Sequence, residues 1–104
     1  IPGVRVFYGG ALVETGEAGL LDSAIGQLER GLSSDAALAI GYRFLGQAYA
    51  RQGSTAMAQL ASGLEAFARG DIEGAKGFAR RAQQNLARGS TGWLRAADIL
   101  AYDE

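Results

Sequence analysis

Histidine and cysteine are both absent from the 104 residues. That excludes disulfides, thiol chemistry, most zinc sites and nearly all nucleophile–base relays, which need an imidazole or a thiolate near neutral pH. Proline occurs once, at Pro2, so nothing further along denies a helix its backbone N–H groups. No apolar run approaches the roughly 20 residues that span a bilayer, and no secretory signal pattern stands at the start. Charge of one sign is lacking too. The net charge is −1, with ten basic residues scattered from Arg5 to Arg95. No basic stripe is left to neutralise a phosphate backbone, which argues against nucleic acid as a partner. The lack of cysteine fits cytoplasm and periplasm equally. The chain opens Ile1-Pro2-Gly3 without an initiator methionine, the pattern expected of a fragment of a longer protein or of a processed terminus.

What is present points to helices. Apolar residues make up 48% of the chain, a globular fraction, and the length suits one domain over 1–104. Strict period-two alternation is missing. In "STAMAQLASGLEAFARG" the large residues Met57, Leu60, Leu64 and Phe67 recur at steps of three and four, as one face of a helix requires. The series Ile72, Ala75, Phe78, Ala79, Ala82, Leu86 does the same. Gly16, Gly53, Gly70 and Gly89 each follow such a segment, as C′ glycines do. Ser54 or Thr55, Asp71 and Ser90 then stand at N-cap positions, each worth about 1 kcal/mol. Asp71 and Glu73 at one end of a segment, with Arg80, Arg81 and Arg88 towards the other, suit the helix dipole. The expectation is all-α: six helices at 3–15, 19–32, 36–52, 55–69, 72–88 and 91–101. Loops this short make successive helices antiparallel, in pairs at 3–32, 36–69 and 72–101.

Repetition is the next question for a helical chain. Tyr42-x2-Leu45-Gly46-x2-Tyr49, with Ala58 beyond, is the tetratricopeptide pattern. Gly46 and Ala58 would let two helices approach while Tyr42 and Tyr49 fill the space above and below. Gly70 precedes Ala75 by five, as Gly53 precedes Ala58. The glycines are 17 apart, half the usual period of about 34 residues. The helix at 55–69 would then close one pair through Ala58 and open the next through Gly63. Its polar residues are confined to the stripe Gln59, Ser62, Glu65, Arg69, as a helix packed on two sides demands. Earlier, "FYGGAL" at 7–12 aligns with "FLGQAY" at 44–49 once an insertion in "EAGLLD" is allowed.

Two tracts, "GYRFLGQAYARQG" and "LASGLEAFARGDIEGAKGFARRAQQNLARGSTGWLRAADIL", resemble the C-terminal tetratricopeptide region of BepA-type bacterial zinc metallopeptidases. The likeness rests on the Ala-Arg-Gly-Asp turn at 68–71, Ala-x2-Phe-Ala-x2-Ala at 75–82 and Gly-Ser-x2-Trp-x-Arg-Ala-x-Asp at 89–98. It covers 4–101 and is tightest over 36–101. In that family a signal peptide and an HExxH peptidase domain precede the repeats, and the protein acts in the periplasm on outer-membrane β-barrel assembly. With no histidine here, no zinc ligand or catalytic Glu carries over. The resemblance therefore implies a non-catalytic domain without cofactor, zinc belonging only to a peptidase domain outside this chain. Its implied partners are that peptidase domain, barrel clients or the assembly machinery. The alternative is a stand-alone tetratricopeptide adaptor with an unrelated partner. An enzyme using only Arg, Tyr and carboxylates is a third, weaker class.

Arg43, Gln47 and Arg51 lie four apart on the first-helix positions that face the concave side of a tetratricopeptide superhelix. Guanidiniums there suit a carboxylate or an exposed peptide carbonyl; the bland reading is a solvated polar face. Val6, Gly10 and Val13 are the matching positions of the first pair, giving a short, half-apolar groove. Tyr42, Leu45, Gly46, Tyr49, Ala58, Gly63 and Ala75 are the repeat-packing residues. Phe67, Phe78 and Trp93 read as core or capping aromatics rather than as interface anchors. Glu65, Asp71 and Glu73 are the nearest approach to a carboxylate cluster, with spacing unsuited to metal or acid–base work. Gly26, Gly41, Gly46, Gly63, Gly74 and Gly77 fall inside expected helices at about 1 kcal/mol each relative to Ala; packing accounts for Gly46 and Gly63. The remainder imply modest stability, a low melting temperature or a homodimer.

Overall fold

Apolar residues at steps of three and four bury one stripe per helix. The computed structural model, which describes residues 9, 10, 13, 20–34 and 39–103, contains helix and no strand among them. Five helices follow in order: α1 (Leu21–Ser34), α2 (Ala39–Arg51), α3 (Thr55–Ala68), α4 (Ile72–Asn85) and α5 (Thr91–Ala101). Gly9, Gly10 and Val13 are also helical. The rest of the expected helix 3–15, with Val6, lies outside the described residues. So do Gly16, residues 17–19 of the insertion and the expected helix start at 36–38.

The glycines end helices by adopting positive φ, where a side chain would be strained. At Gly53 (φ +78°) the α2 terminus closes with Ser54 N–H to the Tyr49 carbonyl at 2.9 Å and Gly53 N–H to Ala50 at 3.1 Å. At Gly70 (φ +83°) the same pair of bonds joins Asp71 to Ala66 at 2.9 Å and Gly70 to Phe67 at 3.0 Å. Both are Schellman closures, satisfying carbonyls the helix leaves free. Asp71 Oδ1 then accepts from Gly74 N–H at 3.0 Å and Ser90 Oγ from Trp93 N–H at 3.3 Å. Ser54 occupies its N-cap position without a side-chain capping bond among the described residues.

Most boundaries fall within two residues of expectation; among the described residues the end of α4 differs most. α4 stops at Asn85, not at residue 88, because Leu86 is extended (φ −106°, ψ 148°). Leaving the helix turns Leu86 inward beneath α5, where its Cδ1 would lie 3.3 Å from a Cβ at Gly92. Gly89 therefore belongs to the turn before Ser90, and Arg88 to that turn as well. The last turn of α4 carries no basic residue, so the expected dipole pairing holds only at the Glu73 end.

The core has two parts. Val13, Leu21, Ala24, Leu28, Tyr42, Leu45, Ala48 and Ala61 form one; Leu60, Ala66, Ala75, Ala79, Ala82, Ala96 and Ile99 form the other. α3 contributes to both, and it touches α2, α4 and α5. Five alanines in the second cluster bring the helices close together. At Gly63 an added Cβ would sit 3.2 Å from Phe78 Cβ and 3.3 Å from the Ala75 carbonyl, tighter than ordinary packing. At Gly46 it would meet Ala61 Cβ at 3.5 Å and the Ala58 carbonyl at 3.7 Å, normal contact distances. Packing thus accounts for Gly63, while Gly46 has room for a methyl group. Among the described residues no helix is long and apolar enough to cross a membrane.

Candidate functional site

A helix of 3.6 residues per turn brings positions four and three apart onto one line. On α2 that line is Arg43, Gln47 and Ala50, with Gly46 beside it. Facing it on α3 are Thr55, Gln59 and Ser62, with Ala58 below and Glu65 at the end. Together they wall an open groove of about 330 Å³. Its walls carry polar residues over a floor where Gly46 crosses Ala58 and Ala61, and most of the surface it presents is apolar.

Electrostatics are concentrated at one end. Arg43 Nε donates to Glu65 Oε2 at 3.1 Å, and Arg69 Nη1 lies 3.8 Å from the same oxygen. The Glu65 side chain is 14% exposed, against 53% for Arg43 and 52% for Arg69. Midway along, Gln59 Oε1 is shut off from solvent and has no hydrogen-bond partner among the described residues. Such an acceptor costs about 1–3 kcal/mol of desolvation.

Two of the three partner-face residues, Arg43 and Gln47, come together here. Arg51 does not. Eight residues past Arg43 it is turned by about 80° around the helix, and its Nη1 donates to the Val13 carbonyl. Gly10 and Val13, expected on the same face, are buried instead. Val13 has no exposure, and Gly10 is pressed against the Phe44 ring. Tyr42, Leu45 and Ala75 are buried, while Tyr49 and Ala58 are half-buried.

On the other side of α2, the Tyr49 hydroxyl donates to Glu29 Oε1 and Gln52 Nε2 to Asp22 Oδ1 at 2.6 Å, tying α2 to α1. Burial raises the Tyr49 pKa above 10.0, and the Glu29 bond and charge raise it further against the opposing Arg95 guanidinium. Burial also raises Tyr42, opposed by the charge and hydrogen bond of Arg95.

The three aromatics are half-buried. Phe67 meets Tyr102 edge-on at 4.9 Å, Arg81 lies 4.7 Å over Phe78, and the Trp93 carbonyl accepts from Gln83 Nε2 at 3.2 Å. The three carboxylates have separate occupations: Glu65 holds the arginines, Asp71 caps α4, and Glu73 lies in its first turn. Among the described residues no group of three His, Cys, Asp or Glu is placed to hold a metal ion.

Of the partner-face residues expected from the sequence, Arg43 and Gln47 form one wall of the groove. The polar stripe Gln59, Ser62, Glu65 of an otherwise apolar helix forms the second wall and is visible in the sequence as a stripe. Arg95 carried no signal, because one arginine on an amphipathic helix looks like any solvated cation.

The fold places the chain in the all-α class. No family model matches it, and neither does any curated protein or solved structure.

Proposed function

We propose that this chain is a protein-interaction domain of tetratricopeptide type, acting without catalysis, and that it binds an extended polypeptide segment in the α2–α3 groove. The carrying observation is Gln59 Oε1, a shielded acceptor with no partner among the described residues, on the wall of that groove. Turning that amide outward would pair it with a backbone N–H of a bound segment, and Gln47 opposite offers both a donor and an acceptor. The motif Tyr42-x2-Leu45-Gly46-x2-Tyr49 and the close contact of Gly63 on α3 with α4 support the tetratricopeptide reading. The lack of His and Cys supports recognition over chemistry.

The resemblance of 36–101 supports a wider setting: the C-terminal part of a BepA-type periplasmic zinc metallopeptidase, recruiting outer-membrane barrel clients or assembly partners. Reading the frame upstream of Ile1 tests that setting, which requires a signal peptide and an HExxH helix there. The groove is tested by placing a photo-crosslinking residue at Gln47 or at the exposed Arg80 of α4. Adducts are expected at Gln47 alone, and Arg43→Ala is expected to reduce them several-fold. Equal adducts at both positions would sink the groove reading. Arg51 is a poor probe of binding, because Arg51→Ala removes the Val13 contact.

A further inference from the structure

Two guanidiniums share one carboxylate oxygen at the end of the groove. Arg43, Arg69 and Glu65 together carry two positive charges and one negative, and neither arginine makes another ion pair among the described residues. A guanidinium has five N–H donors, and Arg43 gives only Nε to Glu65. The anion is the enclosed member, at 14% exposure, while both cations are half in solvent. The rest of the groove wall is neutral: Gln47, Thr55, Gln59 and Ser62. Thr55 to Glu65 spans ten residues of helix, about 15 Å at 1.5 Å each, the length of four or five residues of extended chain.

We propose that the groove selects a partner segment bearing an acidic side chain, whose carboxylate binds the solvent-facing N–H edges of Arg43 and Arg69. Glu65 is a built-in competitor. It positions the guanidiniums, and its charge repels the incoming carboxylate, which sets the affinity low. The row of neutral amides and hydroxyls leading to this end fits a peptide backbone rather than a free anion. The inference rests on the groove being the peptide site.

The test is an NMR titration of the 15N-labelled chain with capped Gly-Glu-Glu-Gly, its Gly-Gln-Gln-Gly counterpart, and inorganic phosphate. The acidic peptide is expected to shift the Nε–H signals of Arg43 and Arg69 and to bind about tenfold more tightly than the neutral one, a difference of about 1.4 kcal/mol. Glu65→Gln is expected to tighten the acidic peptide by about threefold to fivefold, the scale of one exposed charge pair. Arg43→Gln is expected to erase the preference, and it reports independently if Glu65→Gln fails to fold. Equal binding of both peptides, equal binding of phosphate, or weaker binding by Glu65→Gln overturns the inference. Equal shifts of the Gln47, Gln59 and Ser62 amides by both peptides would leave the peptide groove standing and remove only its selectivity. If neither peptide moves those amides, both readings fall.

Discussion

On the proposed peptide-binding reading, Gln59 sets stability against binding at a single side chain. Its Oε1 is buried and unpaired among the described residues, so replacing the amide by an apolar chain of similar length removes a desolvation cost. Gln59→Met is expected to raise the free energy of unfolding by about 1 kcal/mol in urea titration while weakening peptide binding in the groove. Arg51 behaves in the opposite way: Arg51→Ala loses the bond to the Val13 carbonyl, costing about 1–2 kcal/mol, with binding retained. The tyrosines make stability pH-dependent on the alkaline side. Both hydroxyls are raised above 10.0 in the fold, so above that pH the unfolded chain releases protons that the native state keeps. Stability is therefore full below pH 10.0 and is lost as pH rises through the native values. Melting temperature should fall faster above that point in the native chain than in Tyr49→Phe, which can no longer ionise there.

Among the elements, α4 exposes the different meanings of glycine. A Cβ at Gly77 would meet nothing within 4 Å, so Gly77→Ala is expected to stabilise by about 1 kcal/mol through helix propensity alone. Gly63→Ala on α3 is expected to destabilise by about 1–2 kcal/mol, since Phe78 Cβ and the Ala75 carbonyl belong to a facing helix and cannot yield separately. The same denaturant titration reads both variants, and opposite signs are the required result. Helix existence, the Gly53 and Gly70 closures and the Asp71 and Ser90 caps were legible in the sequence, because each depends on residues adjacent along the chain. The end of α4 was not. Leu86 fits the helical spacing, and its packing against Gly92 of α5 is a contact that no local rule shows.

For the whole molecule, α3 is the shared element. Leu64 packs against both clusters, Ala61 belongs to one and Leu60 to the other. Cutting Leu60, 1% exposed, to Ala is expected to cost about 3 kcal/mol. The loss should appear as faster hydrogen exchange in α1 and α2 as well as in α4 and α5, because the two clusters unfold through one helix. Exchange confined to α4 and α5 would show two independent halves. The groove also exists only at this scale. Arg43 and Glu65 are 22 residues apart, and no spacing rule joins them.

Local rules carried the sequence far: period, caps, glycine stops, the close crossing at Gly63 and the exclusion of histidine and cysteine chemistry all follow from residue identity and short-range order. The tertiary structure decided what depends on the angular position of one helix against another. It sent Arg51 to Val13 rather than to the groove, buried Gly10 and Val13, and brought α3 against α5. It also set two arginines around one enclosed carboxylate. The physical reason is that a helix repeats every 3.6 residues. A spacing of four drifts off the line with each turn, and only the neighbouring helices determine where each drifting residue comes to rest.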